Sequence, residues 1–386
     1  MSIDLRVTLE QLRQRRGTKW TNFEPDVLPA WIADMDFPIA APIREAIAAT
    51  VERNDMGYAS DATVRTLAEV FAQRMSDRFD WQPDPGLVMP VSNLIQTFIA
   101  GVASFSQPAE GVVVQTPIYP PFMKVVEAQG RRLVENRLIA GPEKYEMDIE
   151  GLRATVDKDT RLLLFCNPHN PSGRVFERAE LEKIAELVIE RDLVVVSDEV
   201  HADLTYDGHT HIPLASLGPE IAARTVTVTS ASKAFNIAGL KCAIIHFGSR
   251  ELRRRQASLF SQHLLGTPNI LGIEATLAAW RDGEAWLQAV RKQLADNRQS
   301  ILDFTAGQNR PGVVSPQAGY LAWLDCGSLE LAPRPYQFFL DQARVALSDG
   351  GDFGRHTGEF VRLNFATSPE VLKQILQRMG DALPLE

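Results

Sequence analysis

The sequence predicts an α/β protein: a large doubly wound domain with a mostly parallel sheet, and a smaller α+β domain beside it. Two observations carry this. Short, nearly unbroken apolar runs alternate with helical patterns through the middle of the chain, and the texture changes after about residue 270. The runs are GVVVQ (111–115), RLLLFC (161–166), DLVVVS (192–197), TVTVT (225–229) and CAIIHF (242–247). Runs that apolar suit strands covered on both faces, as in a parallel sheet. Between two of them, residues 178–192 place Leu181, Ile184, Ala185 and Val188 at helical spacing, with charges on the other side. That is a strand–helix–strand unit.

Beyond the change in texture, a helical stretch starts at Asn269, breaks near Asp282-Gly283 and resumes to about Phe304. Strand-like YLAWLDC (320–326), a helix around 336–343, strand-like FVRLNFA (360–366) and a closing helix from Pro369 follow. This predicts a large domain over 41–280. The small domain is built from 281–386 and the N-terminal segment 1–40, which packs on it. No internal repeat or low-complexity segment appears.

Composition excludes several function classes. The 386 residues are 45% hydrophobic and 23% charged, and the net charge of -9 argues against nucleic acid or an anionic membrane as partner. No apolar run reaches membrane-span length, and the N-terminus lacks the apolar core of a signal peptide, so a cytoplasmic protein is expected. Cys166, Cys242 and Cys326 are far apart and read as small buried hydrophobes, with no metal or disulfide framework.

The chemistry concentrates where parallel sheets place ligands, at the carboxyl ends of strands. Lys233 follows TVTVTSAS, and small residues after it let other groups come close, as a nucleophilic lysine needs. Asp198 closes LVVVSD, where a carboxylate is costly unless paired. Asn170 and Tyr119 sit in proline-held loops, CNPHNPSG and TPIYPPF. Ser92 and Asn93 precede an apolar helix, the form of a phosphate-binding helix start. Ser230 lies three residues before Lys233, Lys241 eight after it, and Arg362 sits in FVRLNFA.

Taken singly, each has an ordinary reading. Asp198 is a turn or cap, Asn170 a good turn residue, Ser92 an N-cap, Tyr119 core, His201 a satisfied structural histidine and Arg362 a strand-edge charge. The conjunction of Asn, Asp and Lys at three successive strand ends, with an arginine near the C-terminus, outweighs those readings. It is the set required by an aldehyde cofactor bound to lysine, a pyridine nitrogen held by a carboxylate, and a substrate carboxylate clamped by arginine. Ser230-Ala231-Ser232-Lys233 also fits S-x-x-K of serine β-lactamases. Its companion motifs are imperfect, and that reading has Ser230 opening a helix rather than ending a strand. The DFG at 352–354 has no kinase context.

With NPHNPSG, VVVSDEVH, TSASKAFNIAGLK and FVRLNFA, the chain resembles the fold type I pyridoxal-phosphate enzymes, the aminotransferase class I/II group. WIADMDF (31–37), MGYAS (56–60), SDEVHADL, HIPLASL (211–217) and YLAWLD make it most similar to the MalY/PatB-type cysteine-S-conjugate, or cystathionine, β-lyases. The resemblance implies pyridoxal 5'-phosphate as cofactor. Lys233 would carry it and shuttle the Cα proton, Asp198 would pair with the ring nitrogen, Asn170 would donate to the phenolic oxygen, and Tyr119 would stack on the ring. The Ser92-Asn93 backbone and Ser230 would hold the phosphate. Tyr58 would reach that phosphate from a neighbouring subunit, which implies a homodimer. Arg362 would clamp the substrate carboxylate, with the loop at Ala33 closing over it. His201 stands where related aminotransferases have tyrosine. Lys241 stands where many relatives carry arginine, so it brings charge to the phosphate without the planar fork. The implied reaction is β-elimination from an S-substituted cysteine to thiol, pyruvate and ammonia. The rivals are an aminotransferase, a decarboxylating relative, and a cofactor-binding regulator, for which the start of the family motif at Trp31 leaves no DNA-binding domain.

Overall fold

The computed structural model describes residues 3–206 and 208–384. Its main sheet has seven strands: β1 Val88–Val91, β2 Gly111–Thr116, β3 Arg132–Arg137, β4 Thr160–Cys166, β5 Val194–Asp198, β6 Thr225–Thr229 and β7 Ala243–Phe247. They lie in the order β1-β7-β6-β5-β4-β2-β3. β7 runs antiparallel to both its neighbours and the other pairs are parallel.

Alternate side chains explain why the central runs are apolar throughout. Val112, Val114, Leu162, Leu164 and Val196 enter one core with Phe98 and Val102 of the helix Leu94–Phe105. Val113, Leu163, Phe165 and Val195 enter another with Leu181 and Ile184 of the helix Arg178–Glu190. Both faces of the sheet are therefore covered, and period-two alternation disappears from the sequence. Helix Leu94–Phe105 comes close to β5 at Gly101, where a Cβ would stand 2.9 Å from Val196 Cγ2. The edges were harder to read. β3 carries polar residues and is half-solvated, and β1 contains Pro90, which an edge strand tolerates.

A second, antiparallel sheet consists of β8 Gly312–Val313, β9 Leu321–Asp325, β10 Ser348–Asp349 and β11 Phe360–Asn364, in the order β8-β9-β11-β10. The long helical stretch divides into Ile270–Asp282 and Glu284–Thr305, and the chain closes with Pro369–Ala382. Between them, Pro335–Phe338 continues as a π-helix over Phe339–Ala343.

The N-terminal segment runs along this second sheet. Leu28–Pro29 pairs in parallel with Val345–Ala346. Asn364 N–H donates to the Ala30 carbonyl at 2.8 Å, and its side-chain amide donates to the Ile32 and Asp34 carbonyls at 2.6 and 2.7 Å. The buried Asp36 carboxylate accepts from Lys19 Nζ and Trp20 Nε1, both at 2.8 Å.

His246 on β7 is buried against Trp81 and Phe71, with ring centroids 5.0 and 6.3 Å away. Neither ring nitrogen has a partner, and burial lowers its pKa to about 4. A histidine depressed in the folded state costs nothing above its unfolded value of about 6.5, and it removes stability as pH falls from there towards about 4. Chemical denaturation at pH 7.5 and pH 5 should show His246→Leu losing about 2 kcal/mol less than the parent protein over that interval. An equal loss in both proteins would contradict this.

Candidate active site

The carboxyl ends of β4, β5 and β6 are adjacent, and the register puts Asp198 between Cys166 and Val228. The loops leaving those ends carry Asn170 and Lys233. β6 ends at Thr229, and Ser230 caps a one-turn helix, Ala231–Ala234, that carries Lys233. The lysine is therefore on a helix just past the strand. Ser230 does open a helix, so that objection to the S-x-x-K reading falls, while the mismatch of its companion motifs stands.

A cavity of about 410 Å³ lies over these strand ends. It is lined by Ala33, Ser92, Asn93, Tyr119, Asn170, Asp198, His201, Ser230, Lys233, Lys241 and Arg362, together with Asp34, which the sequence reading did not single out. Tyr58 is fully exposed, on the connection between helices Ala41–Glu52 and Asp61–Phe79, and is not part of this lining.

Asp198 is buried, and its carboxylate accepts one hydrogen bond, from Val200 N–H at 3.1 Å. Among the described residues no cation pairs with it. Burial, reinforced by the neighbouring Glu199 charge, pushes its pKa up to about 7, against the pull of the Val200 amide and Lys233. Glu199 itself points the other way, accepting from Ser197 Oγ at 2.8 Å and lying 3.0 Å from His211 Nε2.

Lys233 Nζ donates to the Ala33 carbonyl at 2.9 Å, and Tyr320 Oη donates to the same oxygen at 2.9 Å. Burial lowers the lysine's pKa while Asp34 and Asp198 hold it up, which favours the nucleophilic amine more than a solvated lysine would. Asn236, in the left-handed conformation at φ 58°, fixes this segment from the lysine side. Its Oδ1 accepts from Met35 N–H at 3.1 Å, and its Nδ2 donates to the Phe37 carbonyl at 3.0 Å. Asn236 and Tyr320 lie inside KAFNIAGL and YLAWLD, but nothing in their residue type marks them as supports for the lysine.

Arg362, on β11, is buried and lines the same cavity as Lys233. It donates to Asn170 Oδ1 at 3.0 Å, to the Trp31 carbonyl at 3.1 Å and to Ser348 Oγ at 3.1 Å, and it lies over the Phe353 ring at 4.9 Å. Its Nε has no partner, and burial lowers its pKa to about 10, so it stays cationic. Asn170 keeps its side-chain nitrogen as a donor, and its backbone carbonyl accepts from Tyr119 N–H at 3.1 Å. His201 is buried with Nδ1 unpartnered and sits edge-on to Tyr320 at 5.9 Å. Burial lowers its pKa to about 3, which keeps it neutral.

At the other end, Asn93 caps helix Leu94–Phe105 through its side chain, which accepts from Ile95 N–H at 2.8 Å. Ser92 N–H is already donated to the Gly266 carbonyl at 3.1 Å, and Ser230 Oγ donates to the Cys242 carbonyl at 2.6 Å. Lys241 is exposed at the rim. The donor set fits pyridoxal phosphate. A buried carboxylate without a cation suits a protonated ring nitrogen, the helix start and Lys241 suit a phosphate, and a partly desolvated lysine suits an aldehyde.

Asp198 thus costs stability when the cofactor is absent. A carboxyl raised from about 4 unfolded to about 7 folded loses stability as pH climbs through that interval. Urea unfolding of cofactor-free protein should show Asp198→Asn more stable than the parent by up to about 4 kcal/mol at pH 8, and by less than half that at pH 5. An Asp198→Asn protein no more stable than the parent at pH 8 would contradict the assigned burial cost.

The chain is similar to known proteins over nearly its full length. Cystathionine beta-lyase PatB of Bacillus subtilis is 33% identical over 361 residues, covering 93% of each chain. A crystal structure of OvoB superposes with a TM-score of 0.94 at 34% identity over the full length of both chains. That of a putative PLP-dependent beta-cystathionase from Corynebacterium diphtheriae does so with a TM-score of 0.90 at 32% identity, covering 97% of this chain and 98% of the other. The family model described as aminotransferase class I and II matches residues 46–379, and the chain belongs to that family of fold type I pyridoxal-phosphate enzymes.

Proposed function

We propose that this chain is a pyridoxal-phosphate-dependent carbon–sulfur β-lyase acting on S-substituted cysteines. The observation that carries the reading is the convergence of Lys233, Asp198 and Arg362 on one cavity, in a chain similar over nearly its full length to a cystathionine beta-lyase.

Bound in the cavity, pyridoxal phosphate supplies an aldehyde for the substrate amine and an electron sink for negative charge at Cα. The protein supplies the rest. Arg362 offers its planar fork to the substrate carboxylate and fixes the orientation of the Cα–H bond. Lys233 would hold the aldehyde group between turnovers, and its amine is placed to take the Cα proton. Ionised Asp198 would keep a proton on the ring nitrogen. Asn170 Nδ2 would donate to the ring oxygen, and Tyr119 would lie against the ring. Asn93 at the helix start and Lys241 would receive the phosphate, and Ser230 would join them by turning its hydroxyl away from the Cys242 carbonyl. His201, neutral at physiological pH, packs beside the lysine without adding a competing charge. Loss of the Cα proton to Lys233 and departure of the thiolate from Cβ would leave a three-carbon enamine, whose hydrolysis gives pyruvate and ammonia.

The working unit in this reading is a homodimer. Tyr58 stands exposed with Met56 and Val51, as expected of a residue that serves the site of a neighbouring copy. We divide each chain at about residues 41 and 281, so that the cavity lies between a large domain and a small one that includes the N-terminal segment. No helix among the described residues is long and apolar enough to cross a membrane. A cytoplasmic location suits the three unpaired, buried cysteines.

Incubation with cystathionine or an S-alkyl cysteine, without any keto acid, should yield pyruvate, ammonia and free thiol over many turnovers. A halt after about one turnover, relieved by adding a keto acid, would identify an aminotransferase instead. Carbon dioxide release with the thioether intact would identify the decarboxylating relative.

A further inference from the structure

The backbone carbonyls of Ala30, Trp31, Ile32 and Asp34 all accept hydrogen bonds from the second sheet, through Asn364, Arg362 and Ser348. Ala33, in the middle of that run, is served differently. It is buried, and its carbonyl accepts from Lys233 Nζ and from Tyr320 Oη, each at 2.9 Å. Among the described residues these are its only donors. With its neighbours already bonded, this carbonyl is not free to turn towards another partner.

The two donors differ in permanence. Tyr320 is fixed. It is 1% exposed and directly precedes β9. Gly319 before it takes the left-handed conformation at φ 78°. The Gly319 N–H donates to the Leu204 carbonyl at 3.0 Å, and the Gly319 carbonyl accepts from Tyr206 Oη at 2.5 Å. Phe365 N–H donates to the Tyr320 carbonyl at 3.0 Å. Burial pushes the Tyr320 phenol well above its ordinary pKa, so it stays a hydrogen donor. Lys233 is the donor that leaves. A free lysine amine has several N–H bonds to offer. A lysine bonded to an aldehyde carbon keeps at most one, and the cofactor's own ring oxygen lies beside it.

We propose that the Ala33 carbonyl is the resting place of Lys233 whenever the lysine is free, and that Tyr320 is a positioning residue that keeps this buried carbonyl bonded while the lysine is engaged with the cofactor. This rests on the reading that Lys233 carries the cofactor. In the parent protein the carbonyl has both donors when the cofactor is absent and retains Tyr320 when it is bound. In Tyr320→Phe it has Lys233 alone in the first state and no donor in the second. A buried carbonyl with no donor costs much more than one that loses the second of two. The substitution therefore penalises the loaded state and spares the empty one.

The test is a double-mutant cycle on cofactor affinity. Equilibrium dialysis of radiolabelled pyridoxal 5'-phosphate against cofactor-free protein compares the parent, Tyr320→Phe, Lys233→Ala and the double variant. The expected result is that Tyr320→Phe weakens binding about tenfold when Lys233 is present. In the Lys233→Ala background, where the lysine donor is missing from both states, it should weaken binding by less than about twofold. Equal weakening in both backgrounds would make Tyr320 a general support of the cavity and would overturn the proposal. So would an unchanged affinity when Lys233 is present. Borohydride reduction of the loaded parent separates this from a failure of the lysine reading. A label on Lys233 with unchanged affinity in Tyr320→Phe would overturn the role of Tyr320 alone, and no label on Lys233 would overturn both.

Discussion

A single buried carboxylate sets the terms for the rest of the cavity. Asp198 ends a central strand flanked on both sides by parallel neighbours, where the backbone is fully used by the sheet and solvent is excluded. One amide N–H is all it receives, and burial holds its proton on to about pH 7. Ionised Asp198 is poorly served by the protein alone, and in the proposed reading a protonated ring nitrogen would supply the missing cation. The fold thus keeps an unfavourable group in place because its favourable partner arrives from outside. The same logic extends to Lys233, desolvated so that its amine is a nucleophile, and to His201, whose burial keeps it uncharged beside that amine.

The segment 30–37 couples the two sheets. From one side Asn364, Arg362 and Ser348 grip its carbonyls, and from the other Asn236 and Lys233 do so. Ala33 is the meeting point, since its carbonyl accepts from both Lys233 and Tyr320. The buried Lys19–Asp36 pair behind it, with Trp20 on the second oxygen, holds the segment's far side. Removing one member of such a pair leaves an uncompensated charge and costs about 3–5 kcal/mol. The strap is therefore held from outside the cavity as well as from within it, and the chemistry inside relies on it.

Much of this was legible in the sequence, for physical reasons that differ from residue to residue. The central strands announce themselves because both faces are buried. β1 and β3 do not, because one is short with a proline and the other alternates polar residues at a solvated edge. Asp198, Asn170 and Lys233 stand out as polar groups at the ends of apolar runs, where burial needs a reason. Arg362 stands out within an apolar strand for the same cause. Tyr320 and Asn236 are harder to find. Their roles arise from contacts with backbone groups of the strap at 30–37, and such facts exist only once that strap and the helix at 231–234 are brought together. Lys233 itself lies not at the strand end but on the one-turn helix that follows it, capped by Ser230.

The account stands or falls on which side chain holds the cofactor. Borohydride reduction of the purified, cofactor-loaded protein, followed by proteolysis and mass spectrometry, locates that bond directly. The account predicts a yellow protein whose reduced pyridoxyl label lies on Lys233 alone. A label on Lys241 or elsewhere, or no label after reconstitution with pyridoxal phosphate, would contradict it.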